Sequence, residues 1–171
     1  MSLESTFRGH RADGRKLLAP YITGGLPGWQ QALRAAVDAG ADAIEIGIPF
    51  SDPVMDGPVI QQASQAALEA GATPISVLHE VRDLDVGVPL VVMCYYNTVH
   101  HAGHERFAQQ LQAAGISGAI VPDLPLEEAG PWCEAASTVT SDESTPPDNW
   151  HPTFTSLRNC DCTLPRSRWS R

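Results

Sequence analysis

The sequence predicts an α/β fold built on a parallel sheet, with about four β/α units between residues 17 and 136. Three observations carry this. Short apolar runs closed by Gly or Pro alternate four times with segments whose apolar residues recur at helical spacing, the pattern of strands joined by crossover helices. Two helix-to-strand joints read alike, AGADAIEI (39–46) and AGISGAIV (114–121), as repeated units do. The chain, 171 residues with 43% hydrophobic and 18% charged, is long enough for one domain with a core.

The elements follow in order. LLAPYITGG (17–25) is a first strand ending in glycines. WQQALRAAVDAG (29–40) is a helix with Trp29, Leu33, Ala36 and Val37 on one face and Gly40 as its stop. DAIEIGIP (42–49) is the second strand. IQQASQAALEAG (60–71) is a helix through Ile60, Ala63 and Ala67. TPISVLHEVRDL (73–84) is a helix with Thr73 as N-cap and Pro74 at its first position. PLVVMCYYN (89–97) is the third strand, HERFAQQLQAAG (104–115) a helix with Phe107, Leu111 and Ala114 inward, and GAIVPDLP (118–125) the fourth strand. Glu127 to Ala136 starts a fourth helix. The periodicity then stops. Residues 137–171 hold 12 Ser/Thr and 4 Pro, the composition of a disordered tail. The domain reading is therefore 1–136 followed by the tail 137–171.

Net charge is −9, which argues against nucleic acid, since that partner needs a basic face. Residues 1–136 carry the whole excess, with 7 Lys/Arg against 16 Asp/Glu, while the tail has 4 of each. No 18-residue apolar span exists to cross a membrane. The N-terminus lacks the positive-then-apolar layout of a secretory signal, so a cytoplasmic location is expected. Cys94, Cys133, Cys160 and Cys162 show no disulfide spacing, Cys160-x-Cys162 is half a metal site without a partner pair, and all four read as incidental thiols. His100, His101 and His104 in HHAGH read as a solvated helix start rather than metal ligands, and no metal is expected. Glu127 and Glu128 suit the first turn of a helix, and Arg166, Arg168 and Arg171 of the tail read as solvated.

EIGIPFSDPVMDGP (45–58) carries the chemistry. Side chains alternate across a strand, so Ile44, Ile46 and Ile48 share one face and Ala43, Glu45 and Gly47 the other. The isoleucine face suits packing under helices, whereas the small–acid–small face leaves space around one carboxylate. A buried, unpaired carboxylate has a raised pKa and can carry a proton near neutrality, as acid–base catalysis requires. Loops at the C-terminal ends of parallel strands build the site. Asp56 on the next loop, Tyr21 and Thr23 on the first strand, Met93, Tyr95 and Asn97 on the third and Asp123 after the fourth all point to that rim. A strand glutamate can instead be paired to a basic residue or a backbone amide. The loop fixed by Pro49, Pro53, Gly57 and Pro58 favours a site.

The run EIGIPFSDPVMDGPVIQ closely resembles the hallmark segment of the tryptophan synthase alpha chain family. YITGGLPG (21–28), MCYYN (93–97) and VPDLPLEE (121–128) match its other segments in order and spacing, over about residues 15–136. The resemblance implies a (β/α)8 TIM barrel, of which this chain supplies an incomplete set. It implies a lyase of tryptophan biosynthesis that splits indole-3-glycerol phosphate into indole and glyceraldehyde 3-phosphate. It also implies a pyridoxal-phosphate-dependent tryptophan synthase beta chain as partner in an alpha2 beta2 heterotetramer, with no cofactor in the alpha chain itself. By matching motif, Glu45 resembles the catalytic acid–base and Asp56 the acid that holds the indole N–H. Tyr21 and Tyr95 resemble residues lining the indole pocket, and Ser51 to Pro58 the surface facing the beta chain.

Two departures stand out. Leu26 occupies a turn where many relatives carry Asp. No glycine-rich segment of the kind that grips phosphate follows residue 136, and the tail, unlike the family, has the composition of a shifted reading frame. Little or no cleavage activity is therefore expected of this chain, with a non-catalytic module that binds the beta chain as the alternative and another phosphate-handling barrel enzyme as a third reading. Open edges at the first and fourth strands predict aggregation or a dimer that completes the sheet.

Overall fold

The computed structural model describes residues 3–138. Its elements run α1 (Leu3–Ala12), β1 (Tyr21–Thr23), α2 (Trp29–Asp38), β2 (Ile44–Gly47), α3 (Pro58–Glu69), α4 (Pro74–Arg82), β3 (Leu90–Met93), α5 (Tyr96–Ala102), α6 (His104–Ala113), β4 (Gly118–Ile120), a 3-10 turn (Leu126–Glu128) and α7 (Gly130–Thr138). The four strands form one parallel sheet in the order β1-β2-β3-β4. The register aligns Tyr21 with Glu45, Glu45 with Val91, and Val91 with Gly118, so these four share one face. Ile22, Ile46, Val92 and Ala119 share the other.

The helices pack on the second face. Ile44, Ile46, Ile48, Val92 and Cys94 are buried in one cluster with Trp29 and Leu33 of α2, Val77 and Val81 of α4, Phe107 and Leu111 of α6, and Trp132 of α7. The isoleucine face of β2 thus lies under the helices, as the alternation predicted, and burial of each such side chain stabilises the fold by about 1.5–3 kcal/mol. Thr73 caps α4 with a reciprocal box: its hydroxyl accepts from the Ser76 amide at 3.1 Å, and its own amide donates to the Ser76 hydroxyl at 2.9 Å. The turn after β1 requires glycine at Gly25. Its φ is 81°, and a Cβ there would lie 2.4 Å from the Ala72 methyl carbon, so the α3–α4 joint seats directly on this turn.

Several expectations are corrected. The strands are shorter than their apolar runs, because the flanking residues serve as connections. Residues 3–12, ahead of the first expected strand, form α1. Leu3 and Phe7, one turn apart, pack with Ala43, Val91 and Ile120 on the face opposite the helical layer. That contact comes from remote strands and leaves no strong local pattern. The third strand stops at Met93 rather than residue 97, and α5 follows at once. Asp123, from the loop after β4, accepts a hydrogen bond from the Tyr96 amide at 2.8 Å and satisfies a donor of the first turn of α5. His104 is not solvated. It is half-buried, its Nε2 lies 3.0 Å from the Tyr96 hydroxyl, and it stacks on the Tyr96 ring at 5.8 Å. The break at Gly103 between α5 and α6 brings the two rings together. The last helix runs two residues past the expected boundary at 136. The tail from 139, with Cys160, Cys162 and its arginines, lies outside the described residues. None of the helices among the described residues is long and apolar enough to cross a membrane.

Ile46, which has no exposed surface, sets a direct test of this layering. Ile46→Ala should cost about 2–5 kcal/mol in urea unfolding. Ile75→Ala, at a side chain that is half exposed, should stay within about 0.5 kcal/mol.

Candidate active site

Glu45 is placed by the strand it belongs to. With Ile44 and Ile46 committed to the helical layer, alternation aims its side chain at the opposite face, between Ala43 and Gly47 and beside Tyr21 of β1. The carboxylate is half-buried, and no ion pair or hydrogen bond to it forms among the described residues. Burial, and then the charge of Asp56, raise its pKa above the ordinary carboxylate value. The pairing alternative for a strand glutamate therefore finds no support here.

Asp56 is brought to Glu45 by a tether. The Tyr95 hydroxyl donates to Asp56 Oδ2 at 2.9 Å and accepts from the Met55 amide at 2.9 Å. One phenol at the end of β3 thus grips two successive residues of the loop after β2. Within that loop, the Asp56 amide donates to the Pro53 carbonyl at 3.0 Å, and its own carbonyl accepts from the Gln61 side chain at 2.9 Å. Phe50 stacks on the Tyr95 ring, with centroids 5.1 Å apart and planes 21° from parallel. Burial first, then donation to Asp56 and the charges of Asp56 and Asp123, push the Tyr95 phenol up to about 12 against the opposing pull of the Met55 amide. It stays a donor across the physiological range.

Tyr21 closes the near side. Its pKa is raised by burial, against a hydrogen bond with Thr23, and further by the charges of Asp56 and Glu45. Its ring crosses Gly47 so closely that a Cβ there would lie 1.9 Å from the phenol oxygen. Position 47 must therefore lack a side chain for Tyr21 to lie across β2. Cys94, next along β3, faces the helical layer; burial and then Asp123 push its thiol to about 12, so it stays protonated.

The four residues singled out from the sequence, Tyr21, Glu45, Asp56 and Tyr95, come together at the C-terminal ends of the strands. Other members of the expected rim do not. Asn97 is exposed on α5, and Asp123 serves the Tyr96 amide. The tether role of Tyr95 and the stacking of Phe50 were missed. Phe50 lies within the hallmark run, but no spacing rule links it to a tyrosine 45 residues later.

A parallel α/β sheet with polar side chains gathered at its mouth is the architecture on whose strand ends barrel proteins build their sites. The comparisons give the family. The family model described as "Tryptophan synthase alpha chain" matches residues 7–141. Tryptophan synthase alpha chains of Methanopyrus kandleri and Microcystis aeruginosa are 44% and 48% identical to it, over 74% and 72% of this chain and 47% and 48% of theirs. A crystal structure of tryptophan synthase subunit alpha from Legionella pneumophila superposes with a TM-score of 0.76 at 38% identity, over 80% of this chain and 54% of that one. An aminoacrylate-bound tryptophan synthase structure from M. tuberculosis does so with 0.76 at 40%, over 81% and 59%. The chain belongs to the tryptophan synthase alpha chain family, whose solved members are TIM barrels, and it spans about half the length of the curated relatives it matches.

Two outcomes are expected. Gly47→Ala should destabilise the fold by about 1–3 kcal/mol through overpacking against Tyr21, and most of that loss should vanish in a Tyr21→Ala background, as a double-mutant cycle of unfolding free energies will register. For Glu45, folding favours the protonated form, so the stability this brings is full below the unfolded pKa of about 4.5 and is lost as pH rises through the higher folded value. Thermal unfolding of Glu45→Gln beside the parent should therefore show the variant gaining on the parent as pH rises through that window.

Proposed function

We propose that this chain carries the acid–base half of a lyase site that cleaves indole-3-glycerol phosphate to indole and glyceraldehyde 3-phosphate in tryptophan biosynthesis, in the cytoplasm. The observation that carries the reading is the pairing of Glu45, with its raised pKa, and Asp56, held by the Tyr95 hydroxyl. In this reading Glu45, protonated, gives its proton to the ring carbon that bears the side chain. As the carbon–carbon bond to the side chain breaks, the bond electrons return to the ring, the side-chain hydroxyl becomes the aldehyde, and its proton passes to the Glu45 carboxylate. Glu45 thus ends as it began. Asp56 accepts the indole N–H and stabilises positive charge as it develops on the ring, which an ionised, preorganised acid does without reorganisation. Tyr21 supports the reading as a flat wall beside Glu45. Tyr95 acts from behind Asp56 and keeps that carboxylate on the mouth side of its loop.

The same reading implies little turnover by this polypeptide. A phosphate dianion needs a cradle of backbone amides or a helix N-terminus, and in the family that grip belongs to the second half of the barrel. An indole-release assay on the purified chain checks this. Background-level release is expected, and turnover near that of a full-length relative would overturn the reading. Release should appear when a fragment with the second half of a relative's barrel is added, and Glu45→Gln should lower that restored rate by at least about 10²-fold.

A second reading has its own observation. Val54 and Met55, 68% and 62% exposed, lie on the loop Ser51 to Pro58 that the family resemblance assigns to the tryptophan synthase beta chain, and Val59, next along at the start of α3, is 76% exposed. In that reading the half-barrel docks a beta chain without catalysis. Capture of a beta chain by the parent and not by Val59→Asp supports it; no capture by either removes it.

A further inference from the structure

We propose that two copies of this 171-residue chain close into one eight-stranded parallel barrel, β4 of each copy pairing with β1 of the other around a twofold axis that runs along the strands. This rests on the fold and not on the lyase chemistry.

The sheet has two free edges. The Glu45 amide donates to the Pro20 carbonyl and the Gly24 amide to the Gly47 carbonyl, so Ile22 between them addresses β2 while the peptide groups of Tyr21 and Thr23 point away. On the far side the Cys94 amide donates to the Ile120 carbonyl, which turns the peptide group of Ala119 outward. No strand pairs with either edge among the described residues. An exposed leucine flanks each, Leu18 before β1 and Leu126 after β4. Free edges of this kind template pairing with another chain.

Three features select a second copy. All four strands run the same way in sequential order, so rotation by half a turn about an axis along them lays β4 beside β1 of the copy in the parallel sense. The two seams formed are identical and the assembly closes at two, unlike a head-to-tail contact that keeps growing. The curvature is right: the backbone superposes with a TM-score of 0.76 on 54% of the Legionella subunit, so one copy bends as half a closed barrel of eight strands does.

The copy also completes the site. Helix α1 covers the sheet face around Ala43, Val91 and Ile120. Closure supplies the wall that faces Glu45 and places two Glu45–Asp56 pairs in one mouth.

Sedimentation equilibrium of the full chain, with proline scanning of the edges, tests this. Twice the chain mass is expected, with no growth to larger species as concentration rises. Thr23→Pro and Ala119→Pro each remove an amide that points outward, a substitution edge strands accept. Because both seams are identical, each variant alone should give a monomer with the parent's circular dichroism. A parent that stays monomeric, that grows beyond two, or whose dimer survives both prolines overturns the proposal. If a proline variant fails to fold, hydrogen exchange in the parent decides: amides of Tyr21, Thr23 and Ala119 should be protected as strongly as those of β2, and fast exchange there overturns it.

Discussion

One tyrosine hydroxyl holds the site together. The loop after β2 has little apolar anchoring of its own; Val54 and Met55 project into solvent. Without a tether, Asp56 would range over many positions at an entropic cost to any chemistry that needs it in one place. Tyr95 removes that freedom by giving its proton to Asp56 and taking one from the Met55 amide. It can do so because its ring is buried and clamped by Phe50. A hydrogen bond to a charged group contributes about 1.5–3 kcal/mol, enough to select one loop position among several.

The acid facing that loop follows from the sheet. A single period-2 strand places three isoleucines under helices and one glutamate on the opposite face, so burial of the isoleucines is what fixes Glu45 in the mouth. Asp56 then adds a negative charge nearby, and the two effects act in the same direction on the glutamate. Gly47 and Tyr21 complete the arrangement, since the phenol ring lies in space that any side chain at position 47 would fill. Packing, position and proton affinity are thus consequences of one strand's alternation.

Much of this was legible in the sequence, for reasons that divide cleanly. The four strands, the Thr73 cap and the sidedness of Glu45 depend on residues adjacent in the chain or at fixed spacing, and local pattern finds them. That Tyr21, Glu45 and Tyr95 share a rim with Asp56 was expected from alternation along the strands and from family likeness, and their roles there are the proposal made above. What escaped depends on partners far along the chain. α1 forms where Leu3 and Phe7 meet strands some 40 and 90 residues away, and α5 begins where Asp123 accepts the Tyr96 amide. The same holds for the Phe50–Tyr95 stack, and for His104, which a run of histidines disguised as a wet helix start.

The chemistry of the site turns on the proton affinity of Glu45 and its dependence on Asp56. The direct measurement is a carbon-13 NMR titration of the Glu45 carboxyl in the parent and in Asp56→Asn. The parent should titrate above the ordinary glutamate value. The variant should titrate lower than the parent yet still above that value, because burial is the larger cause and survives the substitution. A Glu45 that titrates at or below the ordinary value, or that ignores the loss of the Asp56 charge, would contradict the account.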